Sequence, residues 1–170
     1  MLKRFLPFIF GAVATLAVAQ TNSVPPVERV VTPTQPPPLE LKFTTVDGTA
    51  FDVANWRGKV VLIDFWATWC GPCRRALPYV VDAYQKLHDK GFEIVGISLD
   101  RDRGQMLQFT KDHNMPWPQY FDGLVWYNVV SRRFGIEGIP AMWLVDKRGQ
   151  VRNTQAGDDL IAEVSKLLAE

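Results

Sequence analysis

The chain has 170 residues, 47% of them hydrophobic and 22% charged, with a formal net charge of +1 at pH 7. That length supports one ordinary domain able to bury its core without covalent staples, and so even a charge balance gives no electrostatic case for binding nucleic acid. The two cysteines are therefore available for chemistry.

At the start of the chain, Lys3 and Arg4 precede an uncharged, mostly apolar stretch from Phe5 to Ala19. Ala17, Val18 and Ala19 form a small-x-small cleavage pattern before Gln20, so residues 1–19 read as a secretory signal peptide or, left uncut, a membrane anchor. The basic flank keeps that end in the cytoplasm and places the rest outside, in the periplasm or on the extracytoplasmic face of a bacterial membrane. An uncut leader is the one expected membrane contact. No cysteine follows the leader, which excludes a lipid-anchored form. Residues 20–38 are polar and proline-rich, ending in Pro36, Pro37 and Pro38, and read as a semi-extended tether to a domain spanning 39–170.

The domain opens with an expected hairpin, Leu41 to Thr45 and Ala50 to Val53, about Asp47 and Gly48. Val60 to Trp66 is a nearly continuous apolar run rich in β-branched and aromatic residues, the pattern of a strand buried on both faces. After Trp69, Cys70, Gly71, Pro72 and Cys73, the residues Leu77, Val80, Tyr84 and Leu87 recur at helical spacing up to a stop at Gly91, with Pro78 inside the helix. Phe92 to Leu99 is a second buried strand. The segment from Asp100 to Arg133 holds helical stretches around Met106–His113 and Val125–Phe134. Its aromatics Trp117, Tyr120, Phe121, Trp126 and Tyr127 are expected mainly to pack the added helix on the sheet. Ala141–Val145 and Val151–Thr154 read as antiparallel strands joined through Lys147, Arg148 and Gly149. Asp158 or Asp159 then caps a last helix whose apolar face is Leu160, Ile161, Val164, Leu167 and Leu168.

The C-x-x-C pair sits between strand and helix, which puts Cys70 at a helix N-terminus. Unpaired N–H groups and the positive end of the helix dipole favour a thiolate there, making Cys70 the candidate nucleophile. Cys73, one turn later, can resolve a mixed disulfide formed on Cys70. As a structural staple the pair closes too short a loop to remove much unfolded-chain entropy. As a zinc site it lacks partners, because His88 and His113 stand apart from it without ligand spacing. No metal is expected, and both histidines are explained by placement at helix C-termini. Asp64 lies inside the apolar strand; buried, its carboxyl would hold its proton more tightly and could pass protons during exchange, whereas at a sheet edge it would simply face solvent. Trp66 is expected in the packing, and Trp69 on the contact surface.

The strand, the Trp66-Ala67-Thr68-Trp69-Cys70-Gly71-Pro72-Cys73 run, the helix holding Pro78, and Phe134-Gly135-Ile136-Glu137-Gly138-Ile139-Pro140 together resemble thioredoxin over about residues 40 to 170. The Arg57-Gly58-Lys59-Val60-Val61 approach and the extra segment before Pro140 are most similar to the exported, TlpA-like thiol–disulfide oxidoreductases. The resemblance implies an α/β thioredoxin fold, a central mixed sheet flanked by helices with an N-terminal hairpin and an inserted helical segment before the cis-proline loop. It further implies that Pro140 is cis and that Ile139 and Pro140, with Trp69, Gly71 and Pro72, border the substrate. Asp64 falls where thioredoxin has its buried aspartate; many TlpA-like proteins instead use a glutamate from the insertion, and none stands among Asp100, Arg101, Asp102 and Arg103.

Gly71 and Pro72 match thioredoxin, whose potential of about −270 mV is reducing, and differ from the Pro-His pair of the strong periplasmic oxidant. The expected activity is reduction of disulfides in partner proteins, with the Cys70–Cys73 disulfide as the only redox group and no other cofactor. The resemblance implies electrons from a membrane thiol carrier of the DsbD or CcdA kind, and acceptors in cytochrome c maturation or copper-site assembly. A disulfide-forming oxidase or isomerase is the alternative direction. A Sco-like copper chaperone would use C-x-x-x-C and a later histidine, and a thiol peroxidase would have threonine where Ala67 stands.

Overall fold

In the computed structural model, which describes residues 36–157 and 159–170, the sheet is built outward from β3 (Val60–Trp66), buried at every position. Its β-branched and aromatic residues suit a pleated surface covered on both faces. β1 (Lys42–Thr44) and β2 (Ala50–Asp52) pair antiparallel as a separate hairpin, with Phe43 opposite Phe51. The other strands are β4 (Phe92–Ser98), β5 (Gln119–Phe121), β6 (Ala141–Val145) and β7 (Val151–Asn153). They form one sheet in the order β5-β4-β3-β6-β7. β3 runs parallel to β4 and antiparallel to β6, so the sheet is mixed and the strand leading to the cysteines is its centre.

Among the described residues the helices are α1 (Gly71–Leu87), α2 (Arg103–Asp112), α3 (Val129–Arg133) and α4 (Leu160–Ala169). α1 buries Cys73, Leu77, Val80, Ala83 and Leu87, one helical face. A short 3₁₀ turn follows, and Gly91 closes it in the left-handed region at φ 99°. In α4 the buried face is Leu160, Val164 and Leu167. Asp159 occupies the N-cap position of α4, but its side chain accepts no capping hydrogen bond.

Two departures lie in the inserted segment. β5, pairing parallel with β4 at the sheet edge, was not expected: three residues beside Pro116 and Pro118 carry no readable alternation. The helix expected over Val125–Phe134 is broken into a 3₁₀ turn, Val125–Tyr127, and α3. Asn128 makes the break. Its backbone is extended, at φ −47° and ψ 126°, and its side chain accepts the Ser131 N–H, capping a new helix instead of continuing the old one. The predicted leader, residues 1–19, and tether residues 20–35 lie outside the described residues. Among the described residues no helix is long and apolar enough to cross a membrane.

Candidate active site

At the end of β3 the chain leaves the sheet through Ala67, Thr68 and Trp69 and enters α1 at Cys70, the N-cap residue. Cys70 and Cys73 are joined as a disulfide, their Cα atoms 5.3 Å apart. The Cys73 N–H donates to Cys70 Sγ at 3.1 Å. In the reduced protein this donor, with the positive end of the α1 dipole, favours negative charge on that sulfur. Both cysteines are nearly buried, whereas Gly71 and Pro72 between them are exposed.

Ile139–Pro140 is a cis peptide, as the resemblance implied. The Ile139 carbonyl oxygen lies 3.6 Å from Cys70 Sγ, so the loop before β6 touches the sulfur at the helix N-terminus. Beside it runs a groove of about 950 Å³. Pro72, Ala76, Tyr79 and Val80 of α1 form one wall, and Ile139, Pro140 and the loop Thr154–Gly157 the other. Of the expected substrate-bordering residues, Pro72, Ile139 and Pro140 line this groove, and Trp69 and Gly71 do not. Trp69, next to Cys70 in the chain, is half exposed, its ring 5.9 Å from that of Trp126.

Asp64 is in mid-strand on the central strand, opposite Gly96 of β4 and Met142 of β6, so the alternative of an edge position does not hold. Its side chain is buried and Oδ1 has no hydrogen-bond partner. Loss of hydration pushes its carboxyl up to about 7. Asp64 and Cys73 line the same small cleft, together with Trp66, Arg74, Leu77, Phe109 and Met115. Trp66 is buried, as expected, and its Nε1 donates to Gln119 Oε1 at 3.0 Å. That glutamine side chain occupies the space a Cβ on Gly96 would need, so glycine there leaves room for the contact.

One set of residues was missed by the sequence reading. Asp100, 1% exposed, accepts the Thr68 N–H at 3.0 Å, the Thr68 hydroxyl at 2.7 Å and the Ser98 hydroxyl at 2.9 Å. It thereby fixes the turn two residues before Cys70. Asn128, fully buried, donates to the Ser98 carbonyl at 3.1 Å and ties the inserted segment to the same point. The signal was present: Ser98 and Asp100 are polar residues closing an apolar strand, the feature that singled out Asp64. His88 and His113 sit at the C-caps of α1 and α2, each with Nδ1 against a carbonyl oxygen, of Phe92 and Phe109 respectively.

A pair of sulfurs at a helix N-terminus, a cis-proline loop against them and a groove alongside is an arrangement for exchanging disulfides with another molecule. Comparisons with known proteins agree. The chain is 27% identical over 125 residues to a thiol-disulfide oxidoreductase ResA from Bacillus thuringiensis, covering 74% of this chain and 70% of that one. It is 30% identical over 123 residues to ResA from Oceanobacillus iheyensis, covering 71% and 62%. Among solved structures, the thioredoxin domain of a thiol-disulfide oxidoreductase from Bacteroides vulgatus superposes with a TM-score of 0.68 at 30% identity, covering 76% of this chain and 94% of that one. A putative thiol:disulfide interchange protein DsbE from Chlorobium tepidum gives 0.64 at 29%, covering 77% and 92%. The Redoxin family profile matches residues 20–169, so the chain belongs to the Redoxin family and, within the thioredoxin-like superfamily, is a protein thiol–disulfide oxidoreductase.

Proposed function

We propose that the protein is an exported reductase of protein disulfides, with the Cys70–Cys73 pair as its only redox group. The observation that carries this reading is the Cys70 sulfur at the N-terminus of α1, contacted by the Ile139 carbonyl and flanked by a groove of about 950 Å³. In the reduced protein the Cys70 thiolate attacks one sulfur of the partner's disulfide. The partner's other sulfur leaves as a thiolate and takes up a proton, and a mixed disulfide remains. Cys73 then gives its proton to Asp64 and attacks Cys70 Sγ, and the second partner sulfur departs. Two electrons have moved to the partner, and the protein is left as the disulfide. A carboxyl near 7 can take and return that proton at neutral pH.

Export is supported by the basic-then-apolar leader, and a reducing direction by Gly71 and Pro72 between the cysteines. An exported reductase needs a continuing electron supply, which a membrane thiol carrier of the DsbD or CcdA kind would provide. Acceptors in cytochrome c maturation or copper-site assembly fit the same reading.

The deciding experiment is the equilibrium reduction potential of the pair in defined thiol–disulfide buffers. A value of about −250 mV or lower supports the reductase, and one near about −120 mV overturns it in favour of a disulfide-forming oxidase.

A further inference from the structure

The inserted segment carries a surface that the exchange reaction above does not use. Leu124, Trp126, Tyr127 and Val129 are all exposed, Tyr127 to 72% and Val129 to 61%, so Trp126 and Tyr127 do not pack the added helix on the sheet as expected. Four large apolar side chains held in water on one short turn differ from the scattered exposed residues usual on a soluble protein.

The turn is built to hold them there. Asp122 accepts the N–H groups of Leu124, at 3.0 Å, and Val129, at 2.8 Å, and the Asn128 side chain at 3.2 Å. Val125 lies at φ 53°, a left-handed conformation that a β-branched residue adopts only under constraint. Asn128 also donates to the Ser98 carbonyl, and the Ser98 hydroxyl to Asp100, which fixes Thr68 ahead of Cys70. The aromatic turn and the cysteine turn therefore hang on one buried polar network. Their side chains meet where Trp126 packs edge-on against Trp69.

We propose that Trp69, Leu124, Trp126, Tyr127 and Val129 form a docking ledge for the disulfide-bearing protein partner. The ledge takes an apolar stretch beside the partner's reacting cysteine, with an acidic residue meeting Arg132. This rests on the reading that the partner is a protein. Continuity with the exchange site argues for the occupant: Cys70 is nearly buried, its neighbour Trp69 is half exposed, and the Trp69 ring lies 5.9 Å from that of exposed Trp126, so a partner brought to Cys70 has this apolar surface next to it. None of the ledge residues lines the groove beside Pro140, so the ledge is a second contact surface adjoining the same cysteine. The acidic preference follows from Arg132, whose guanidinium lies 5.8 Å from the Tyr127 ring centroid and makes no ion pair among the described residues. Because the backbone of the turn is fixed in advance, little backbone order has to be gained on binding.

The test uses the full chain, reduced and freed of reductant, in single-turnover exchange quenched with acid. One disulfide-linked peptide carries Leu, Phe and Glu beside its cysteine, a second of equal length carries Ser, Gly and Lys, and oxidised glutathione is the small reference. The wild type should favour the apolar, acidic peptide by about tenfold, as a central aromatic contact contributes. Trp126→Ala and Tyr127→Ala should each bring the ratio of the two peptide rates most of the way to unity, and Trp126→Phe should preserve it. Tyr127 is so exposed that its truncation keeps the test valid if Trp126→Ala does not fold. No preference in the wild type, or a preference unmoved by Tyr127→Ala, overturns the ledge. So does concentration-dependent self-association that Tyr127→Ala abolishes, which would assign the surface to a second copy of the chain. If the wild type reacts with neither peptide nor glutathione, the oxidoreductase reading itself fails and the ledge falls with it.

Discussion

Burial of Asp64 makes the fold less stable at neutral pH than in acid. Its carboxyl is buried without a partner for Oδ1 and titrates near 7 in the folded protein, whereas in the unfolded chain it titrates near the ordinary 3.8. The folded state therefore holds a proton that the unfolded state has lost between those values. Stability from this group is fully present below about pH 4 and drains away as the pH rises through about 7, by an upper limit of about 4 kcal/mol. Asp64→Asn should consequently be more stable than the wild type at pH 8, by a few kcal/mol at most, and the gain should vanish by about pH 4. Urea denaturation at the two pH values measures it, and a gain independent of pH would contradict the burial argument. The same variant should slow release of the mixed disulfide tenfold or more, on the order of a lost general base.

The elements that carry the cysteines were readable because their patterns are strong. β3 is a continuous apolar run, α1 repeats at helical spacing, and the hairpin about Asp47 and Gly48 has turn chemistry at its centre. The inserted segment was less readable because tertiary contacts decide it. β5 exists by pairing with β4, and the Gln119 side chain fills the space over Gly96 to meet Trp66. Asn128 ends one helical turn and starts another through bonds to Ser98 and Ser131 that no local pattern announces. Of the candidate site, Cys70, Cys73, Asp64, Ile139 and Pro140 were legible, the last two by resemblance. Asp100 was noted only for not being glutamate. Yet it holds the Thr68 N–H and two hydroxyls in the interior, and removing it leaves those donors without an acceptor. Asp100→Ala should cost about 2–4 kcal/mol in chemical denaturation, as loss of a buried, multiply bonded carboxylate does. An effect under about 0.5 kcal/mol, the level of an ordinary surface substitution, would mean the turn before Cys70 is fixed by something else.

Across the whole molecule, an exchange enzyme must stay folded in both of its redox states, and the distribution of the core provides for that. The buried apolar residues run through β3, β4 and β6 and the inner faces of α1 and α4, while the disulfide joins two residues at one end of one helix and closes a very short loop. Chain-entropy arguments limit its contribution to about 2 kcal/mol. In a double variant, Cys70→Ser keeps an oxygen at the N-cap to accept the Cys73 N–H, and Cys73→Ala keeps a small apolar group in the buried position. That variant should fold with an unchanged far-UV circular dichroism spectrum and melt about 5–10 °C below the oxidised protein. Loss of a cooperative transition would mean that the disulfide is part of what holds the domain together. Retention of one would mean that the core holds the domain together without the disulfide, so that the bond between Cys70 and Cys73 can open and close without unfolding the chain.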